Sequence, residues 1–405
     1  IQYTYDILGN KVTTTTPTGK VITNTYDSLN RMTSVKRDNT PIVSYTYDSL
    51  NLTNEILGNG IETNYAYDDG NRIDRIGYES LTYDQNSNIT RKGTDTYVYD
   101  GFNQITQSLY GNTRFWNPIQ GNAYEYDLMG NRFNEQNIRL ITKTTKTGAI
   151  ITTEKKNIWN YSTNILNQYT DVLSQSGIVS NTGTTNTGEI MSESGIILEW
   201  RLLYDNNGNL VGNLLNLRRE YEYTYDAQNK LISVNRYNSV NQKEVLISYT
   251  YDALGRRTSK KVANQLTEYI YSGNDVIEET LSTVSQTTQA KTKKESREYV
   301  YGSKWIDDVV SMTLTVYKKV WVSYQIVSTN SYYYEKDHLG SVIRITSSTG
   351  TLVDEYSYTV FGKVYKKNSL GVYRLVSGSN KSAIGNTRLF TGREYDREVW
   401  LYYLR

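Results

Sequence analysis

The feature that most constrains this chain is a tight turn that recurs ten times. In each copy a Tyr-Asp pair is followed, three residues after the Asp, by a residue that tolerates a left-handed backbone. The aspartates are Asp6, Asp27, Asp48, Asp68, Asp84, Asp100, Asp127, Asp205, Asp226 and Asp252, and their partners are Gly9, Asn30, Asn51, Asn71, Ser87, Asn103, Gly130, Gly208, Asn229 and Gly255. Nine partners are Gly or Asn, which enter the αL region at low cost. The residue type at this position is therefore set by the backbone conformation of the turn.

Each copy predicts a β-hairpin. The Asp carboxylate can accept backbone N–H groups about two residues ahead, and a type I turn with an αL residue and a bulge is a common hairpin connection. Before the Asp, tyrosines recur at i and i+2 and therefore face one side of a strand. These pairs are Tyr3/Tyr5, Tyr45/Tyr47, Tyr65/Tyr67, Tyr97/Tyr99, Tyr124/Tyr126, Tyr223/Tyr225 and Tyr249/Tyr251. Good helix formers are scarce in these stretches, which argues against helices.

The spacing of the turns predicts a repeat array. Successive aspartates lie 21, 21, 20, 16, 16, 27, 78, 21 and 26 residues apart. A hairpin of about 20 residues cannot bury a face alone and needs neighbours stacked on it. The 78-residue gap holds Thr/Lys-rich residues 141–156 and Thr/Asn/Gly-rich residues 181–188, which we interpret as strands carrying a large loop insertion near 140–200.

Composition favours a β-rich chain in which neither positive nor negative charge dominates. Of its 405 residues 37% are hydrophobic and 39 are tyrosine, while only three are proline. Tyrosine rings can fill a layer while their hydroxyls reach water or polar groups. The net charge of +2 gives no indication of nucleic-acid binding, and we interpret the basic run Lys291–Lys294 as a solvated loop. A sheet rich in Tyr and Thr on both faces suits a shell.

Several partner and cofactor classes find no support. The chain has no cysteine, so neither disulfides nor Cys-ligated metals are available, and no apolar run approaches the roughly 18 residues of a membrane span. No phosphate loop, metal-spaced His pair or nucleophile elbow is present. The sequence starts at Ile1 on a predicted strand and ends at Arg405 in an aromatic run, so we expect a piece of a longer protein.

The lone histidine, His338, is the first candidate for chemistry. Asp337 and Ser341 lie beside it in sequence, but a catalytic triad needs groups assembled in space, so a structural turn is favoured. The adjacent pairs Asp307-Asp308 and Glu278-Glu279 would point to opposite faces of a strand, which disfavours an acid/base pair.

The aspartates of the turns could bind calcium, but each turn supplies one carboxylate that backbone N–H groups already explain. Exposed tyrosines could stack on sugars, although packing accounts for nearly all of them. We therefore predict no catalytic, cofactor-binding or metal-binding residue and no cofactor.

The unit Tyr-Asp-x-x-Gly-Asn, complete at residues 5–10, 126–131 and 204–209, resembles the YD repeat of RHS (rearrangement hotspot) proteins. The variant YDALGRR at 251–257 is similar to a common family form. Near the C-terminus, YEKDHLGSVIR (334–344), YSYTVFG (356–362) and LFTGREYDREVWLYYLR (389–405) resemble the RHS-repeat-associated core domain. NQYTDVL (167–173), leading on to residues 204–210, also resembles a segment of that family, and stretches near 140–160, 174–200 and 280–296 are unmatched.

The resemblance implies an all-β fold in which a hairpin ribbon spirals into a hollow, cocoon-like shell. Residues 1–331 would form the YD-repeat shell and residues 332–405 the core domain. Toxin-type relatives cleave themselves after this domain and use aspartates to do so. Residues 1–405 of this sequence contain no counterpart of those aspartates. Val399-Trp400 stands where relatives have Thr-Gly, which implies a different local turn.

These features lead to one hypothesis and one alternative. The first is a non-enzymatic shell of a large secreted or cell-surface protein that encloses its own C-terminal toxin or effector, with aspartyl-type self-cleavage possible only beyond Arg405. Its partners would be that effector and a secretion apparatus or cell-surface receptor, without nucleic acid or a membrane span. The alternative is a wall-associated, teneurin-like adhesion module or a glycan-binding module.

Overall fold

A computed structural model describes residues 1–111, 119–144, 150–164, 166–182, 197–377 and 380–404. Within these ranges almost every element is a β-strand, and the one helical element is a 3-10 turn at Phe390–Gly392. The chain forms two compact units, one of residues 1–79 and 247–405 and the other of residues 80–246.

The first unit begins with eight short strands. Each successive pair from the first to the eighth is antiparallel. They are β1 (Gln2–Tyr5), β2 (Lys11–Thr15), β3 (Val21–Tyr26), β4 (Met32–Arg37), β5 (Thr40–Asp48), β6 (Asn51–Leu57), β7 (Glu62–Tyr67) and β8 (Ile73–Ile76).

The second unit is also an antiparallel succession of hairpins. Its strands are β9 (Glu79–Tyr83), which starts at the boundary, β10 (Ile89–Lys92), β11 (Asp95–Tyr99), β12 (Ile105–Leu109), β13 (Ile119–Tyr126), β14 (Arg132–Thr144), β15 (Ile150–Thr163), β16 (Tyr169–Thr182), β17 (Ile197–Tyr204), β18 (Leu210–Leu215), β19 (Arg218–Tyr225) and β20 (Leu231–Tyr237).

The first unit resumes with longer strands near its C-terminus. They are β21 (Lys243–Tyr251), which crosses the boundary, β22 (Arg257–Val262), β23 (Gln265–Ser272), β24 (Asp275–Val284), β25 (Lys291–Tyr301), β26 (Val309–Val320), β27 (Ser323–Lys336), β28 (Val342–Ser347), β29 (Leu352–Tyr358), β30 (Val364–Lys367), β31 (Tyr373–Leu375), β32 (Glu394–Asp396) and β33 (Leu401–Tyr403).

The predicted all-β hairpin ribbon is confirmed, and so are nine of the ten αL positions. Their backbone φ angles lie between 60° and 85°. Asp48 is the exception: it pairs directly with Asn51, and the positive φ of 50° falls on Ser49. The prediction of an αL residue at Asn51 is therefore wrong, because the two-residue loop puts Asn51 on the next strand.

The Asp carboxylates make the predicted turn contacts. In the first copy Asp6 Oδ1 accepts the backbone N–H groups of Leu8 and Asn10, both at 2.9 Å. The strand register shifts at the preceding tyrosine, which is the predicted bulge. The same pair of N–H contacts recurs at Asp27, Asp68, Asp84, Asp100, Asp127, Asp205, Asp226 and Asp252.

The long gap between turns contains a further turn in which Asn replaces Asp. Asn164 Oδ1 accepts the N–H groups of Leu166 and Gln168, and Asn167 has φ 58°. Most of the predicted insertion that the structure describes is strand, in β14, β15 and β16. Residues 145–149, 165 and 183–196 of this stretch lie outside the described residues.

Two apolar clusters hold the first unit together. One includes Val35, Val43 and Tyr45 with Val310 and Tyr333, so strands from both chain segments of this unit share a core. The larger cluster contains Met312, Val342 and Ile345 and extends to the C-terminal residues Leu389 and Tyr395. The last residues of the chain are thus built into the unit.

Candidate functional site

The candidate site lies within the first unit, where the C-terminal segment (residues 380–404) packs on the strands. This segment carries little regular structure beyond the 3-10 turn and the short hairpin of β32 and β33. Backbone contacts tie it to the strands, since the Val342 N–H donates to the Leu389 carbonyl at 3.1 Å and the Thr391 N–H to Ser341 Oγ at 3.0 Å.

The centre of the contact is Arg257, whose side chain is 2% exposed. Its guanidinium lies 2.8 Å from Glu394 Oε2 and 2.7 Å from Asp396 Oδ2, both on β32. Alternation on β32 places these two carboxylates on one face, with the Tyr395 ring on the other. Removing one partner of such a buried pair costs roughly 3–5 kcal/mol, since the other charge is left without compensation.

Tyrosine rings enclose the Arg257 guanidinium. Their centroids lie 5.0 Å away for Tyr249, 5.4 Å for Tyr269 and 4.2 Å for Tyr403. The Tyr249 hydroxyl donates to Asp396 Oδ2 at 2.9 Å and the Tyr269 hydroxyl to Glu394 Oε1 at 2.8 Å. The tyrosines thus both stack on the cation and satisfy its anions.

A second cation, Lys260, binds the other oxygen of the Asp396 carboxylate. Its Nζ lies 2.6 Å from Asp396 Oδ1 and 2.9 Å from Glu398 Oε2. Arg257 and Lys260 both come from β22, so one strand supplies two cations to the C-terminal segment.

A cation of the segment itself completes the group. Arg388 Nη2 donates to Glu279 Oε1 at 3.0 Å, and its Nη1 lies 3.8 Å from Glu394 Oε2. Glu279 comes from β24, so the charges alternate between the segment and the strands. We call Arg257, Lys260, Glu279, Arg388, Glu394 and Asp396 the C-terminal charge cluster.

The electrostatics of the C-terminal charge cluster follow from burial opposed by neighbouring charges. Burial alone would raise the pKa of Asp396, but Lys260 and Arg257 overcome it and lower that pKa to about 2. Burial likewise acts to raise the pKa of Glu394, and Arg257 and Arg388 bring it below its ordinary value. For Glu279 the effect of burial exceeds the opposing effect of Arg388, so its pKa is raised.

This arrangement is suited to holding a chain in place, since each charge is engaged by a charge or hydroxyl of the other side. Its members lie on β22, β24 and the C-terminal segment, and the contacts described fix the segment to the strands.

The predicted residues around His338 form a turn of the same kind as the repeats. Asp337 Oδ1 accepts the N–H groups of Leu339 and Ser341 at 3.0 and 2.9 Å, and Gly340 has φ 77°. Ser341 Oγ accepts the Thr391 N–H. These contacts are those of a structural turn, and the absence of catalytic residues stays a prediction.

The neighbours Asp307 and Asp308 have separate partners. Arg393 of the C-terminal segment lies 2.7 Å from Asp307 Oδ2. Asp308 is buried against Lys336 and accepts the Lys304 N–H at 2.9 Å. Burial would raise the pKa of Asp308, but Lys336 and Lys304 bring it below its ordinary value.

The other acidic pair, Glu278 and Glu279, lies on β24 with one side chain toward each face. Glu279 bonds Arg388, whereas Glu278 lies opposite Glu298 on β25. Burial, followed by Glu298, raises the pKa of Glu278. The two carboxylates therefore do not form a common site.

The described part of the chain holds no group of three or more His, Asp or Glu side chains arranged to bind a metal ion. No helix among the described residues is long and apolar enough to cross a membrane.

The basic run Lys291–Lys294, predicted as a loop, is instead the start of β25. The antiparallel pairing of β24 with β25 extends as far as Val284 and Lys291, so the run belongs to the strand.

Sequence reasoning missed the C-terminal charge cluster, although both of its main parts lie in recognised segments. Arg257 ends the YDALGRR stretch, and Glu394 and Asp396 alternate within the last aromatic run. That alternation was the available signal: two acids at i and i+2 beside aromatic residues need cations from elsewhere. Arg257 and Asp396 are 139 positions apart in the sequence, so the pattern of either stretch alone does not show that they pair.

No family model matches the chain. The tRNA3(Ser)-specific nuclease WapA of Bacillus spizizenii is 26% identical over 281 residues, which is 69% of this chain and 9% of that protein. The tRNA nuclease WapA of Bacillus subtilis strain 168 is 27% identical over the same share of each. The chain thus spans about a tenth of the length of these relatives.

Solved structures show similarity over nearly the whole chain. The crystal structure of TcdB2-TccC3-TEV matches with a TM-score of 0.58 and 16% identity over 99% of this chain and 19% of that one. The Tc holotoxin pore of Photorhabdus luminescens matches with a TM-score of 0.53 and 14% identity over the same shares. Together the comparisons support, at a coarse level, the resemblance to RHS-type toxin proteins.

Proposed function

We propose that this chain is part of an RHS-type shell that encloses the C-terminal effector region of its parent protein. The all-β ribbon and its similarity to Tc toxin components support a shell-forming role. In this role the chain is a container without catalysis of its own, and the activities named for its relatives belong to those longer proteins. Hairpins paired along both sides leave few free strand edges, which protects such a container from aggregation.

The observation that carries the proposal is the C-terminal charge cluster. A container for its own C-terminal region must hold the chain where that region begins. Residues 394–403 are held by Arg257 and Lys260 and by the hydroxyls of Tyr249 and Tyr269, and the segment's own Tyr403 hydroxyl accepts the Arg257 backbone N–H at 2.9 Å. The segment would thus direct the following residues of the parent to a fixed place.

Limited proteolysis of the full-length parent tests this role. Arg257→Gln breaks the buried pairs, whereas Arg256→Gln removes a neighbouring guanidinium whose pair with Asp252 is about one quarter exposed on each side. We expect the region after residue 405 to resist protease in the wild type and in Arg256→Gln, and to be cut quickly in Arg257→Gln. Immediate cleavage of that region in the wild type would refute enclosure and favour a surface module.

Electron microscopy of the same parent provides the second test. A closed hollow β-structure with density inside is expected. A solid or open structure would exclude the container, whatever the protease result. Self-cleavage beyond Arg405 is a separate proposal, checked by the mass of the purified parent.

A further inference from the structure

The hairpin between β26 and β27 carries a row of exposed apolar side chains. Trp321 and Val322 form its two-residue loop, because Val320 and Ser323 pair directly. They are 91% and 96% exposed, and the strand that follows continues the exposure. Its apolar exposed residues are Tyr324, Ile326 and Val327.

The backbone conformation at the tip is energetically unfavourable for tryptophan. Trp321 has φ 57°, a conformation that Gly or Asn adopts at low cost and that a bulky side chain adopts under strain. Most turns of this chain place Gly or Asn at such angles. A tryptophan that occupies this conformation while almost wholly exposed contributes little to packing, which points to a contact outside the chain.

Lysines surround the apolar tip. Lys318 and Lys319 precede it on β26, and the start of β25 lies alongside, since the Lys293 N–H donates to the Tyr324 hydroxyl at 3.2 Å. Two carboxylates of this region are already paired, Glu295 with Arg297 at 2.6 Å and Glu268 with Lys291 at 2.7 Å. The Trp321 patch, as we call it, comprises Trp321, Val322, Tyr324, Ile326, Val327, Lys293, Lys294, Lys318 and Lys319.

We propose that the Trp321 patch docks on an anionic lipid surface. Tryptophan and tyrosine favour the membrane interface, aliphatic residues insert below the headgroups, and lysines bind anionic headgroups while their stems lie along apolar surface. A protruding two-residue tip fits the boundary of a bilayer better than a broad protein face. The excess of lysine over carboxylate selects an anionic surface.

Co-flotation of the 405-residue chain with vesicles tests the proposal. Vesicles of equal parts phosphatidylcholine and phosphatidylserine should bind the chain, and phosphatidylcholine alone should bind it far less. Binding should weaken as salt is raised, because the electrostatic part is screened. Lack of binding to the anionic vesicles overturns the proposal.

Two variants separate docking from folding. Trp321→Asn suits the positive φ, so the variant should melt no lower than the wild type yet bind anionic vesicles at least about tenfold more weakly. Lys318→Gln with Lys319→Gln should weaken binding about fivefold for each lysine removed.

Matched controls are Leu217→Asn, another exposed apolar residue at positive φ (65°), and Lys36→Gln with Lys261→Gln, an exposed pair elsewhere. Both controls should bind like the wild type. Equal binding by all variants overturns the proposal. So does Trp321-dependent self-association without vesicles in sedimentation velocity, which would assign the patch to a second copy.

Discussion

At the scale of single residues, the tyrosine before most of the Tyr-Asp turns has a role that explains its identity. Its hydroxyl donates to a backbone carbonyl of the preceding unit, as in Tyr26 to Lys11 at 3.1 Å and Tyr67 to Leu52 at 3.0 Å. The same link recurs at Tyr47, Tyr99, Tyr126, Tyr204, Tyr225, Tyr271, Tyr301 and Tyr358. Phenylalanine would pack similarly but leave that carbonyl without its donor.

Tyr67→Phe should therefore lower the free energy of unfolding by about 0.5–1.5 kcal/mol, the net value of one such bond. Urea unfolding followed by circular dichroism measures it. Tyr5→Phe is the control, because Tyr5 is 58% exposed and should tolerate the change. Equal stability of the two variants would show that the hydroxyl link contributes nothing.

The αL position is the second single-residue requirement. Gly350 has φ 78° and open space around a would-be Cβ, so Gly350→Ala should cost about 1–2 kcal/mol through backbone strain alone. Gly101 has equally open space without a positive φ, and Gly101→Ala should be neutral or stabilising. Thermal denaturation compares the two, and a similar loss in both would contradict the conformational explanation.

At the scale of elements, the hairpin depends on the side-chain acceptor at the first turn position rather than on a carboxylate. Asn164, Asn238 and Asn368 make the same pair of N–H contacts as the aspartates. Thr16, Ser347 and Thr359 begin turns with the same backbone bonds and a hydroxyl acceptor. The repeat is thus more extensive than the Tyr-Asp pattern indicates.

Asp226 offers a direct comparison of acceptor and charge. Its Oδ1 accepts the N–H groups of Gln228 and Lys230, both at 2.9 Å. Asp226→Asn keeps an acceptor and should cost less than about 0.5 kcal/mol, whereas Asp226→Ala should cost about 1–2 kcal/mol. Urea unfolding distinguishes them, and an equal loss would mean that the negative charge itself is required.

At the scale of the whole molecule, the C-terminal charge cluster makes the anchoring of the last segment sensitive to acid. The pKa of Asp396 is depressed from 3.8 to about 2 in the folded chain, so its contribution is present above pH 3.8 and is lost as pH falls toward 2. The C-terminal segment should therefore become accessible to an acid-active protease within that window. Asp396→Asn should expose the segment already at neutral pH and flatten this dependence.

The repeat hairpins could be predicted because their determinants are local. An Asx acceptor, an αL residue and two alternating strands lie within about 20 residues, so the sequence by itself determined the fold class and nine αL positions. The error at Asn51 has the same local cause, because the short stretch after Asp48 forms a two-residue loop in place of the longer turn of the other copies.

Only the tertiary structure decided where the charges meet. Arg257 and Asp396 lie 139 residues apart, and Glu55 of β6 accepts a hydrogen bond from Lys304, 249 residues away. Periodicity shows which side of a strand a residue occupies but not which distant strand faces it. Because burying a charge is favourable only beside its partner, the cluster at the C-terminal segment exists only once the strands are assembled.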